Sequence, residues 1–159
     1  MRVMIAAVGR PKDQALAAAI REYEARATRY WPLESMEVKA ERADPSAAPA
    51  SSSAAVRARE GERIRQRVGD RALIIACDAS GVSMTSEKFA MWLQSEREGA
   101  RDVAFLIGGA FGLDETLLDG AHKRLSLAPW TLPHELARLV LAEQLYRAGT
   151  ILRGEPYHK

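Results

Sequence analysis

The chain has 159 residues, a formal net charge of +2 and a single cysteine, Cys77. That length supports one core with little room for a separate substrate module, so a single domain over 1–159 is expected. One cysteine excludes an internal disulfide and a cysteine-held metal, and no apolar run is long enough to span a membrane, so a soluble cytoplasmic protein with neither metal nor membrane as a partner is expected.

Segments rich in β-branched and aliphatic residues alternate with amphipathic helical patterns, which predicts an α/β fold: a mostly parallel sheet with helices on both faces. The first strand is expected from Arg2 to Val8 and a helix from Asp13 to Tyr30. That helix must stop at Trp31-Pro32, because the residue before a proline is pushed out of the helical region. A second strand follows from Met36 to Ala40. The stretch ADPSAAPASSSAA has no bulky apolar residue to offset the entropy of ordering it, so 43–55 is expected to be a mobile loop leading to a helix from about Ala54 to Val68.

A third strand from Ala72 to Cys77 precedes a helix capped by Thr85 or Ser86. The fourth, Val103 to Ile107, runs into GGAFG, a turn where backbone can approach a ligand closely. Open α/β sheets bind ligands at such strand ends. The turn has no G-x-G-x-x-G pattern, the turn after the first strand (Gly9-Arg10-Pro11) is not glycine-rich, and there is no phosphate-binding G-x-x-x-x-G-K-[ST] loop. An ordinary Rossmann methyltransferase and a nucleoside triphosphatase are thereby disfavoured.

The fifth strand, Arg124 to Leu127, opens into a proline-bracketed loop in which Trp130 could floor a pocket. The last helix starts at Pro133, with Thr131 as candidate cap, and reaches about Gly149. His134 in its first turn is expected to be a structural hydrogen-bonder. The helix carries two apolar stripes: Leu132, Leu136 and Val140, and Ala137, Leu141, Leu145 and Ala148. Two stripes exceed the need of one small core, so a homodimer is expected.

The C-terminal end is the basic one: Lys123, Arg124, Arg138, Arg147, Arg153 and Lys159 outnumber Glu135, Glu143 and Glu155. The terminal Tyr157, His158 and Lys159 suit gripping an unstacked RNA base and its phosphate.

IGGAFGL at 107–113, LSL followed by TLPHELARLVLAEQLYRA at 131–148, and the terminal RGEPYHK resemble the 23S rRNA pseudouridine N3-methyltransferase family, a minimal SPOUT methyltransferase. The resemblance implies a single-domain SPOUT fold with a C-terminal trefoil knot, a homodimer, ribosomal RNA in the 70S ribosome as partner, and S-adenosylmethionine as cofactor. It places the cofactor against Cys77, Gly108, Leu127, Ala128, Pro129, Trp130, Thr131 and Leu132, and activity or RNA binding on Arg147, Tyr157 and His158. The chain departs from the family at Cys77, commonly leucine, and at Ala128, Pro129 and Trp130, where LSLS and a methionine are common. A SPOUT enzyme acting on another RNA, such as a tRNA ribose, and a non-catalytic RNA-binding module are the alternatives.

Overall fold

The structure, a computed structural model, describes residues 1–69 and 71–158. Five strands form one sheet in the order β2-β1-β4-β3-β5, and every strand pair is parallel. They are β1 (Val3–Val8), β2 (Leu33–Val38), β3 (Leu73–Ser83), β4 (Val103–Ile107) and β5 (Lys123–Ser126). The helices are α1 (Gln14–Ala27), α2 (Pro49–Val68), α3 (Ser86–Glu98), α4 (Glu115–Gly120) and α5 (His134–Leu152).

β1 and β4 are buried throughout, because parallel strands between two helical layers have no solvent face. Successive side chains of β1 alternate between the layers. Val3, Ile5 and Ala7 join the core with Phe89, Leu93, Leu141 and Leu145 of α3 and α5, while Met4, Ala6 and Val8 join Ile64 of α2 and Leu117 of α4. The sequence order reverses at β1, whose neighbours are β2 and β4.

β2 starts three residues earlier than expected, directly after Pro32, and ends at Val38 instead of Ala40, and three further elements differ from expectation. α2 begins at Pro49, so the second half of the expected 43–55 loop is helical; proline suits a first helical turn, and the buried Ser52 hydroxyl accepts from the Asp44 amide at 2.8 Å. β3 continues past Cys77 to Ser83 after a register shift against β5. It crosses so closely that a Cβ on Gly81 would lie 2.6 Å from the Arg124 carbonyl carbon. α4, absent from the expected elements, is capped by the Asp114 side chain. Thr131 does not cap α5, which has no side-chain cap.

α5 buries Leu141, Leu145 and Ala148, and leaves Leu136, Ala137 and Val140 partly exposed. Its C-terminal half is fixed against the end of α1, where the buried Trp31 indole donates to the Leu145 carbonyl at 2.8 Å. Among the described residues, no helix is long and apolar enough to cross a membrane.

Candidate active site

Three chain segments leave the carboxyl end of the sheet side by side. The first is the turn after β4. A Cβ on Gly108 would stand 2.4 Å from the Gly112 carbonyl carbon, and Gly112 has φ of 81°, so the turn closes on itself only with bare backbone at both positions. The second is the loop between β5 and α5, whose entry is tied by the Ser126 hydroxyl donating to the Ala128 carbonyl at 2.7 Å. The third is Cys77 to Ala79, where β3 shifts register. Between them lies a cavity of about 730 Å³, well within the size range of small-molecule sites.

Cys77, Gly108, Leu127, Ala128, Trp130, Thr131 and Leu132 all line this cavity. Pro129 is in the same loop, exposed, and is not part of the wall. Trp130 does not floor the cavity: 76% exposed, it stands at the rim. Ionisable side chains are sparse in the wall, which offers mainly peptide groups and apolar surface from Ile107, Leu127 and Ala137. The Cys77 thiol is no nucleophile, since burial, with Asp78 adding to it, pushes it up to about 12.

His134 lines the cavity from the first turn of α5, its Nε2 4.0 Å from a Glu135 carboxylate oxygen. Behind the glycine turn, Glu60 of α2 is 3% exposed; its Oε1 accepts from the Glu41 amide at 2.9 Å and its Oε2 has no partner among the described residues. A Cβ on Gly109 would meet that Oε2 at 2.9 Å. Burial pushes the Glu60 carboxyl above the usual range.

The other three expected residues come together in a second cluster. Tyr157 donates to Glu143 Oε1 at 3.0 Å and lies edge-on to Tyr146, ring centres 4.6 Å apart. Arg147 donates from Nε to the same carboxylate at 2.9 Å and sits 4.7 Å over the Tyr157 ring. His158 has Nδ1 3.4 Å from Arg147 Nη1 and Nε2 2.6 Å from Glu87 Oε1. Burial, then the Tyr23 and Glu143 contacts, push the Tyr157 phenol up, so it acts as a donor and not as a base. None of these residues lines the cavity of its own chain. Lys159 lies outside the described residues.

Part of the basic C-terminal end is neutralised within the chain. Arg138 is 6% exposed and paired with Glu24 and Glu37, and Arg124 is paired with Asp119. Sequence reasoning missed Glu143, Glu87 and Glu60. Glu143 had a signal, standing four residues before Arg147 on one helical face. Glu87 had none. Among the described residues, no group of three or more His, Cys, Asp or Glu side chains is placed to hold a metal ion.

A parallel sheet with a backbone-lined pouch beyond its carboxyl edge defines an α/β protein built to hold a small molecule at strand ends. Residues 1–158 match the family model described as "Predicted SPOUT methyltransferase", and the chain belongs to that family. Two proteins named "Ribosomal RNA large subunit methyltransferase H" are similar over the whole of both chains: one from Gemmatimonas aurantiaca at 57% identity, and one from an Anaeromyxobacter species at 46%. A solved structure of a probable methylase family protein from Haemophilus influenzae shares the fold, with a TM-score of 0.55 at 16% identity, over 99% of this chain and 70% of that one.

Proposed function

We propose that the chain transfers a methyl group from S-adenosylmethionine to N3 of a pseudouridine in 23S ribosomal RNA, acting on assembled ribosomes in the cytoplasm. The observation that carries this reading is the pouch of about 730 Å³, whose wall includes seven of the eight positions expected to touch the cofactor. Relatives named as large-subunit rRNA methyltransferases, matched end to end, support the substrate class.

The pouch suits the donor. Peptide groups of Gly108–Gly112 and Leu127–Leu132 would bind its polar edges, and Ile107, Leu127 and Ala137 would exclude water. The bound cofactor supplies an electrophilic methyl group, so the chain's task is alignment, dehydration and removal of one proton. His158 takes the weakly acidic N3 proton, Arg147 balances the negative charge that develops on the base, and Tyr157 offers a ring for stacking. Because the tail does not line its own pouch, the proposal includes a homodimer in which one copy's tail faces the other's pouch. The half-covered Leu136 and Val140 stripe of α5 is the surface for it. The knot implied by the resemblance belongs to the same reading, with the 127–132 loop running beside the glycine turn and the β3 shift.

The test is methyl transfer from labelled cofactor to 70S particles and to isolated subunits from a strain lacking this enzyme, with mass mapping of the product. The expected product is one methyl group on a pseudouridine base of the large-subunit RNA, formed best on 70S particles. A methyl group on a ribose, on transfer RNA, or nowhere contradicts the proposal.

A further inference from the structure

We infer that Glu87 is a positioning residue for His158, holding the ring by Nε2 so that Nδ1 is the atom that receives the N3 proton. The inference rests on the reading of His158 as the base.

Glu87 sits in the first turn of α3, 71 residues from His158, with its Oε1 2.6 Å from His158 Nε2. Its own backbone amide, the Thr85 side chain and His158 all bond the carboxyl and hold it down to about 2, so it is a carboxylate wherever the enzyme works. A carboxylate only accepts, which requires the ring hydrogen to be on Nε2. The neighbour of Nδ1 is the Arg147 guanidinium at 3.4 Å, which only donates, so Nδ1 carries the lone pair. Two side chains from different helices thus favour one tautomer of the neutral ring. The long Arg147 contact leaves Nδ1 as the ring nitrogen open to exchange.

The transfer then balances. The N3–H bond breaks, its proton bonds to Nδ1, and the electron pair left on N3 forms the bond to the methyl group as the sulfonium becomes a neutral thioether. The ring becomes a cation beside Arg147, which opposes it, and Glu87 offsets that repulsion from the far side. Among the described residues, the other charged or titratable groups in this network are Glu143 of α5, which neutralises Arg147, and Tyr157 with Tyr23 of α1 behind it. The arrangement has the logic of a carboxylate that orients a histidine base.

The test uses full-length wild-type, Glu87→Gln, Glu87→Asp and His158→Ala proteins in single-turnover methyl transfer to unmodified 70S particles across the pH range in which histidine titrates. Glu87 is half exposed, and cofactor affinity confirms that each variant is folded. Glu87→Gln is expected to keep cofactor affinity, lose roughly tenfold in rate at neutral pH, and shift the acid limb of the profile to lower pH by about half to one unit. Glu87→Asp restores the limb toward its wild-type position. An unmoved limb in Glu87→Gln together with an inactive His158→Ala overturns the role of Glu87 and leaves the base assignment standing. Full rate in His158→Ala overturns both.

Discussion

The pouch and the tail cluster solve different problems with different materials. The pouch is shaped by backbone: a turn that closes only with glycine at 108 and 112, a proline-bracketed loop and a register shift, with few ionisable groups in the wall. The tail is shaped by side chains, with Glu143 and Glu87 holding Tyr157, Arg147 and His158. Peptide groups recognise a ligand without depending on which side chain each position carries, so the departures at Ala128, Pro129 and Trp130 are compatible with an intact pouch. A network of charged side chains has no such tolerance, since each lost partner leaves another group unpaired.

The two regions separate most clearly at Gly108. Gly108→Ala puts a methyl group into the closed turn, and cofactor binding measured by calorimetry is expected to weaken roughly 100-fold or more. Glu143→Ala releases both Arg147 and Tyr157, so single-turnover transfer should fall about tenfold while cofactor affinity stays within twofold. A matched loss of affinity would show that the two regions are not separable.

Glu60 is the exception on the pouch side, a buried carboxyl propping the glycine turn with one oxygen unpaired among the described residues. Its raised value means that the folded state favours the protonated form. Its contribution to stability is therefore present at low pH and lost as pH rises through that value. Glu60→Gln mimics the protonated group, keeps an acceptor for the Glu41 amide, and should stabilise the protein at neutral pH by about 1 kcal/mol, read as a rise in Tm of a few degrees. The gain should vanish once the pH falls below the ordinary carboxylate range, where the group is protonated in the folded and unfolded states alike. The smallest effect is expected for Trp130→Ala, about twofold in cofactor affinity, because this side chain stands in solvent at the rim.

Much of the fold was legible because strand burial and helix periodicity are local signals. β1 and β4 read as unbroken apolar runs, and the α3 cap is Thr85, one of the two residues, Thr85 and Ser86, that the sequence offered. What escaped depends on distant partners or on weak propensities. α2 reaches back to Pro49 through alanines and serines that no apolar pattern marks, and the β3 extension exists because β5 pairs with Val82 and Ser83. The pouch residues followed from the resemblance together with the glycine turn, since strand ends and turns have sequence signatures. Glu87 could not have been read, because nothing in spacing joins a residue of α3 to one at the C-terminus. Likewise, the basic bias of the C-terminal end was visible while the pairing of Arg138 with Glu24 and Glu37, and of Arg124 with Asp119, was not.

The central claim is that the backbone pouch beyond β3, β4 and β5 is where the methyl donor is held. A crystal structure of the chain at saturating S-adenosylmethionine tests it most directly. The account predicts ordered cofactor between Gly108–Gly112 and Leu127–Leu132, bonded mainly to peptide groups; cofactor ordered elsewhere, or a pouch left empty at saturation, would contradict it.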